Sequence, residues 1–352
     1  MSILFDTLKV HFKKQLPFVC YCKPNSEKII ALFQKNDKLF ELNNADSGFA
    51  FVSFDNEKRF LIPESQSDIY FENVETYDFV FSNDKQFPTD LVAKTNHEKL
   101  VEKAVQEIEN GTFQKVVLSR TETIDVVDFD LEVVFNKLIF QYQNAFKYVF
   151  FHPKVGLWMG ATPEQFLKID KNKIQTVSLA GTILNTGSEM VMWSNKEINE
   201  QQIVTDYIVE YLKKYAKNVS FSKPYDFKAG SLIHIKTDIE ATFENQSDLE
   251  NSIQLLHPTP AVCGFPKDAA KEFILKNEAY NREFYAGFLG EWNKDFLTYK
   301  ENCSDLFVNL RCMKIENEQA RLYVGGGINK GSNPEKEYIE TVNKSQTMKK
   351  VL

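Results

Sequence analysis

DLFVNLRCMKI (305–315) and ARLYVGG (320–326) are two apolar runs, rich in aromatic and aliphatic residues and parted by only four residues. That rhythm of run, short turn and run is the pattern of antiparallel neighbours in a sheet. Working outward, HIKTDIEATF (234–243) and EFYAGFLGEW (283–292) read as further strands. So do KVVLSRTETI (115–124), KYVFF (147–151), VGLWMG (155–160), QFLKI (165–169) and KIQTVSLA (173–180). Shorter β-like runs, FVCYC (18–22), KIIALF (28–33), FAFVSF (49–54) and IYF (69–71), fill the N-terminal part between Asn, Asp and Ser clusters. Helical spacing is found from Asn96 to Glu109, where Leu100, Val101, Ala104, Val105 and Ile108 recur at three and four and Asn110-Gly111 ends the run. Further helices are expected over residues 131–143, 195–215 and from Pro334 onward. Strands follow one another through short turns as often as through helices. The expected class is therefore α+β, with large, mainly antiparallel sheets flanked by helices, and not a doubly wound parallel sheet.

Apolar residues make up 43% of the 352 positions and aromatic residues 13%, far from the composition of a disordered chain. The net charge of −7 comes from acids and bases spread along the chain, which disfavours nucleic acid and anionic membrane surfaces as partners. No signal-type apolar segment stands at the start, and nowhere do about 18 apolar residues follow one another, so a cytoplasmic location is expected. The five cysteines are an odd number without zinc-site spacing and are expected to be reduced and buried. The character of the chain changes near residues 87–95, dividing a β-rich N-terminal region, 1–95, from a mixed region, 96–352.

Gly325-Gly326-Gly327 follows an apolar strand, but Lys330 stands where a dinucleotide fingerprint needs glycine, and no P-loop pattern occurs. The triplet is either a tight turn or a place where backbone N–H groups approach an anion. Ser332, three residues before Glu335, reads as a capping box for the last helix. On that helix Glu337, Glu340 and Lys344 share a face, as a solvated charged face also would. Glu200 lies on a stripe with Ile203, Val204, Tyr207, Ile208 and Tyr211, where a carboxylate needs either a basic partner or an ion. Lys115 opens the strand KVVLSR, as an edge lysine reaching water or as a partly desolvated base. Glu164 follows a Gly-Ala-Thr-Pro turn, an ordinary setting for a surface acid. His234 and His257 are flanked by apolar residues and read as satisfied buried histidines.

Taken in order, KVVLSR (115–120), GATPEQFL (160–167), SLAGT (178–182), NKEINEQQIV (195–204), HIKT (234–237), LLHPTPAVCGFP (255–266), NREFYAGFLG (281–290), VNLRC (308–312) and VGGGINKGSNPEKEYIETVNK (324–344) resemble the chorismate-binding enzymes. The resemblance covers about residues 96–352. It implies the fold of anthranilate synthase component I, one large unit with two sheets, into which the N-terminal region packs. Lys115 then resembles the base that activates water and Glu164 the general acid across the ring. Glu200 and Glu340 resemble Mg²⁺ ligands, with Glu337 in direct or water-bridged support. Arg311, Lys344 and the backbone at Gly325 and Gly326 resemble the clamp on the enolpyruvyl carboxylate. Tyr285, His234 and the Ala180-Gly181-Thr182 turn would line the pocket. Amine-using members lack the lysine found here as Lys115, and aminodeoxychorismate synthases carry a lysine where Ala180 stands, so water is the implied nucleophile. Isochorismate synthase is thus the implied activity, with chorismate as substrate and a monomer as the plainer assembly. Salicylate synthase is the alternative, and a non-catalytic chorismate-binding protein a more distant one. Menaquinone and siderophore pathways both fit. The chain departs from the family in having Gln201 where Glu-His is common, and its N-terminal region shows no pocket of the kind used for tryptophan feedback.

Overall fold

The alternating apolar runs do form strands. A computed structural model describes residues 2–74, 90–184, 191–229 and 232–352, with the side chains of Thr182, Leu184, Lys196, Glu200, Lys228, Ala229 and Leu232 outside the description. Among the described residues, one sheet has nine strands and another ten. Their neighbours run antiparallel, as in the long pairings of Lys115–Asp125 with Gln319–Asn329 and of Lys173–Leu184 with Leu232–Thr242. The class is α+β. Among the described residues no helix is long and apolar enough to cross a membrane.

The N-terminal strands belong to both sheets. Phe18–Cys22, Lys28–Gln34 and Ser67–Asn73 extend the first, while Gly48–Val52, Arg59–Pro63 and Phe40–Glu41 extend the second. Phe18–Cys22 is buried at every position. Val19 and Tyr21 enter the core between the sheets, whereas Phe18, Cys20 and Cys22 enter a second core under the outer helices. A strand covered on both faces has no polar alternation to show, which is why these runs read as continuous apolar stretches. The inter-sheet core is rich in aromatic contacts, with Phe51 of the second sheet 4.3 Å from Phe150 of the first, centroid to centroid. Helices Ile3–Lys13 and Leu131–Gln141 cover the outer face of the first sheet through Leu4, Phe5, Phe135 and Leu138. All five cysteines are free and buried.

The structure corrects several boundaries. DLFVNLRCMKI is not one strand: Cys303–Val308 lies in the second sheet and Cys312–Glu316 in the first. The chain crosses between sheets at Asn309–Arg311. There the buried Asn309 accepts a hydrogen bond from Tyr148 Oη at 2.7 Å and donates to Phe284 O at 3.0 Å, and Arg311 takes a left-handed φ of 47°. EFYAGFLGEW becomes a strand only at Phe288, because Glu283 and Ala286 have positive φ. The Gly325–Gly327 triplet is neither a turn nor a loop but lies within the strand Gln319–Asn329, opposite Ser119, Leu118 and Val117. The helix expected from Asn96 begins at Leu91, where Asp90 accepts from the Val92 and Ala93 amides. The last helix, Pro334–Lys349, is capped by Asn333 and not by Ser332, whose hydroxyl accepts from Asn329 N across the turn instead.

Candidate active site

Four segments meet around the glycine triplet. Lys115 begins its strand opposite Asn329 and is half-buried. Its Cε lies 3.2 Å from the point a Cβ on Gly327 would occupy, so the lysine stem runs across bare backbone. A Cβ on Gly325 would stand 2.6 Å from Leu118 O and 2.8 Å from the Tyr285 hydroxyl, which explains why only glycine fits there. Tyr285 is buried, stacked on Tyr323 at 5.6 Å, and burial raises its phenol well above the usual value.

The last helix approaches Gly326. Oxygens of Glu337 and Glu340 each lie 3.6 Å from the point a Cβ on Gly326 would occupy, an ordinary contact distance that puts both carboxylates against the strand at this position. Lys344, one turn on, donates to Gly325 O at 2.9 Å and to Glu340 Oε1 at 2.5 Å. Arg311, placed by the crossover between sheets, donates from Nη1 to Lys344 O at 3.3 Å. Burial lowers its guanidinium from the ordinary value, opposed by Tyr285, Glu340, Tyr142 and Glu164, and a group that basic keeps its charge. The helix itself is fixed to the Lys115 strand: Arg120 Nε donates to Thr341 at 2.7 Å, and Glu122 pairs with both Arg120 and Lys349.

Glu164 follows the strand Gly156–Thr162. Its backbone is held by Val308 N, which donates to Glu164 O at 3.0 Å, and its side chain is half-buried. Burial pushes the carboxyl up to about 7, against the opposing charges of Lys115, Lys344 and Arg311, which all act on it. A carboxylic acid that holds its proton near neutrality while facing three cations is suited to proton donation.

Ala180-Gly181-Thr182 is a bulge inside the strand Lys173–Leu184 and not a turn: Ala180 faces Ile235, Thr182 faces His234, and Gly181 between them has φ +70°. His234 Nδ1 lies 3.1 Å from Gly181 O, so that nitrogen carries the proton, and burial lowers the ring from its ordinary value. The other flanked histidine, His257, is buried with Nε2 3.0 Å from Ser53 O. Glu200 lies on the helix Asn195–Lys213, whose Val204, Tyr207 and Ile208 are buried as the stripe predicts; the Glu200 carboxylate falls outside the described residues, as does the Thr182 side chain. Among the described residues no three His, Cys, Asp or Glu side chains converge as a metal group; the described part of the site supplies the Glu337 and Glu340 pair.

Two features escaped the sequence reading. Glu197 packs on the bulge, its Cβ 3.1 Å from the point a Cβ on Gly181 would occupy, and its carboxylate accepts from Ser194 N at 3.1 Å. The signal was present in Ser194-x-x-Glu197, a capping box, and in the Glu197–Glu200 spacing that repeats Glu337–Glu340. The second is a buried ion pair below the site. Arg282 grips Glu278 through two hydrogen bonds of 2.7 and 2.6 Å and donates to Val117 O and Val262 O, while Glu278 accepts from Ser119.

The sequence model described as "Chorismate binding enzyme" matches residues 56–352. The chain belongs to the chorismate-binding enzyme family. Isochorismate synthase EntC of Escherichia coli (strain K12) is 31% identical over 269 residues, covering 72% of this chain and 66% of that protein, so the match spans about two thirds of the relative's length. Among solved structures, MenF, the menaquinone-specific isochorismate synthase of Escherichia coli, superposes with a TM-score of 0.76 at 21% identity, over 96% of this chain and 88% of that one. Anthranilate synthase component I of Streptococcus pneumoniae TIGR4 gives 0.68 at 18% identity, over 90% and 83%. These likenesses place this chorismate-binding enzyme in the fold that its motifs implied.

Proposed function

We propose that the chain is an isochorismate synthase, converting chorismate to isochorismate. The observation that carries this reading is Glu164, a half-buried carboxyl held up to about 7 within the fields of Lys115, Lys344 and Arg311. In the proposed reaction Lys115 takes a proton from water as the water oxygen bonds to carbon 2. The ring double bonds shift, the bond from carbon 4 to its hydroxyl oxygen breaks, and Glu164 protonates that oxygen so that it leaves as water. One water enters and one departs, so the reaction is an isomerisation. Base and acid are both needed, because water is a poor nucleophile while protonated and hydroxide a poor leaving group.

Arg311 and Lys344, fixed beside Gly325, provide the charge for the enolpyruvyl carboxylate, and Tyr285, His234, Ala180 and Gly181 would line the ring's pocket. The residues present suit Mg²⁺: Glu337 and Glu340 bring hard oxygen donors to one point at Gly326, and Glu340 already accepts a cation, the Lys344 ammonium. Glu200 and Glu340 would hold the ion, with Glu337 beside them. Bound there, Mg²⁺ would supply charge to fix the ring carboxylate and offset its repulsion from the acidic residues. The relative named above is an isochorismate synthase, which supports the same reading.

Incubation of the purified chain with chorismate and Mg²⁺, followed by NMR of the products, tests it. Isochorismate should accumulate first. Salicylate with pyruvate as the main early products would replace this reading with that of a salicylate synthase.

A further inference from the structure

The helix Asn195–Lys213 meets the second sheet through a polar lattice where apolar packing would be ordinary. Gln201 is 2% exposed, Ser178 0%, Thr205 4% and Thr237 1%. The Gln201 amide nitrogen reaches three hydroxyl oxygens, Thr237 at 2.8 Å, Thr205 at 2.9 Å and Ser178 at 3.2 Å. Thr205 Oγ1 lies 2.8 Å from Ser178 Oγ, and the two hydroxyls lie 3.2 and 3.4 Å from Gln201 O. The amide thus ties one helix to two strands, Lys173–Leu184 through Ser178 and Leu232–Thr242 through Thr237.

Its position relative to the site is specific. Glu197, Gln201 and Thr205 follow one another at i, i+4 and i+8 and form one stripe of the helix. At the top of that stripe Glu197 rests on the Gly181 bulge, and one turn below it Gln201 is bonded to Ser178. Thr237 stands three residues beyond His234 on the neighbouring strand. Apolar side chains hold a helix against a sheet but leave small slides and rotations cheap. A closed set of buried hydrogen bonds does not, because any shift strands a polar group away from water.

We propose that Gln201 is a positioning residue: its hydrogen bonds to Ser178, Thr205 and Thr237 fix the rotation and height of this helix, and thereby set the metal affinity of the carboxylate next to it, Glu200. The inference rests on the reading of Glu200 and Glu340 as Mg²⁺ ligands. A purely structural Gln201 would change the melting temperature when replaced but leave the affinity of the folded protein for Mg²⁺ where it was.

Isothermal titration of the full chain with Mg²⁺, without substrate, reads that affinity directly. In Gln201→Leu, similar in size but unable to bond the hydroxyls, the Kd for Mg²⁺ should rise about 10- to 100-fold while circular dichroism shows a folded chain. Should that variant fail to fold, Thr237→Val removes a single partner and should raise the Kd at least about threefold. Folded variants that bind Mg²⁺ as tightly as the wild type overturn the proposal. Glu340→Ala, titrated in parallel, separates the two levels. If it binds as the wild type does, the metal reading fails and this inference with it; if it loses binding while the folded Gln201 and Thr237 variants keep theirs, only the positioning role is lost.

Discussion

Replacing Glu164 by Gln keeps the size and hydrogen-bonding capacity of the side chain and removes its proton. Burial lifts this carboxyl from 4.5 to about 7 even though three cations pull it down. At pH 7 a carboxyl at the ordinary value would be protonated only about 0.3% of the time, against about half for one at 7. The site therefore supplies about 150 times more of the acid form than an exposed glutamate would. Because the protonated form of Glu164 is the active one, its contribution to kcat/KM should be lost as pH rises through about 7, giving a descending limb there. In Glu164→Gln, kcat should drop by about 10²- to 10⁴-fold with little change in KM, and the descending limb near pH 7 should disappear. Lys344→Met should move that limb the other way, to higher pH, since it deletes a charge that favours the carboxylate. The assay is isochorismate formation by liquid chromatography at saturating Mg²⁺ from pH 5.5 to 9. A Gln variant within tenfold of wild-type kcat at pH 6.5, or one that retains the same limb, refutes the assignment of the acid.

Lys115→Ala should reduce turnover by at least about 10²-fold while chorismate and Mg²⁺ binding, followed by calorimetry, stay within a few-fold of wild type; near-normal turnover would reject Lys115 as the base. Arg282→Ala should destabilise the fold by about 3–5 kcal/mol in urea melts, because it leaves Glu278, only 1% exposed at its side chain, as an unpaired buried charge. The double variant Arg282→Met with Glu278→Leu should recover most of that loss, and no recovery would mean that the pair is not what the single change breaks.

The strands and helices were legible wherever one covalent pattern decided them. Phe18–Cys22, Lys28–Gln34 and Gln165–Asp170 were found almost to the residue because long apolar runs end at polar turns. The strand across residues 305–315 was misread because nothing in its hydrophobicity marks the crossover. That break depends on a buried Asn309 bonded to Tyr148 and Phe284, partners 161 and 25 residues away in sequence. Of the two readings open for Gly325–Gly327, the tight turn fails because it read glycine through its φ freedom. Here the triplet answers to space, since Leu118 O and Tyr285 crowd Gly325 and the Lys115 stem crosses Gly327 closely. Pairwise contacts of that kind cannot be read from local spacing, and the motif order of the family, not periodicity, brought those residues forward. Gln201 was visible only as a departure from the family. Its role lies in hydroxyls contributed by two strands that no local pattern connects to it.

Water is the nucleophile in the proposed reaction, and oxygen labelling tests that most directly. With chorismate and Mg²⁺ in H₂¹⁸O, isochorismate isolated at low conversion should carry one ¹⁸O in the hydroxyl at carbon 2. Unlabelled product, its hydroxyl carried over from carbon 4 of the substrate, would contradict the pairing of Lys115 with Glu164 across the ring.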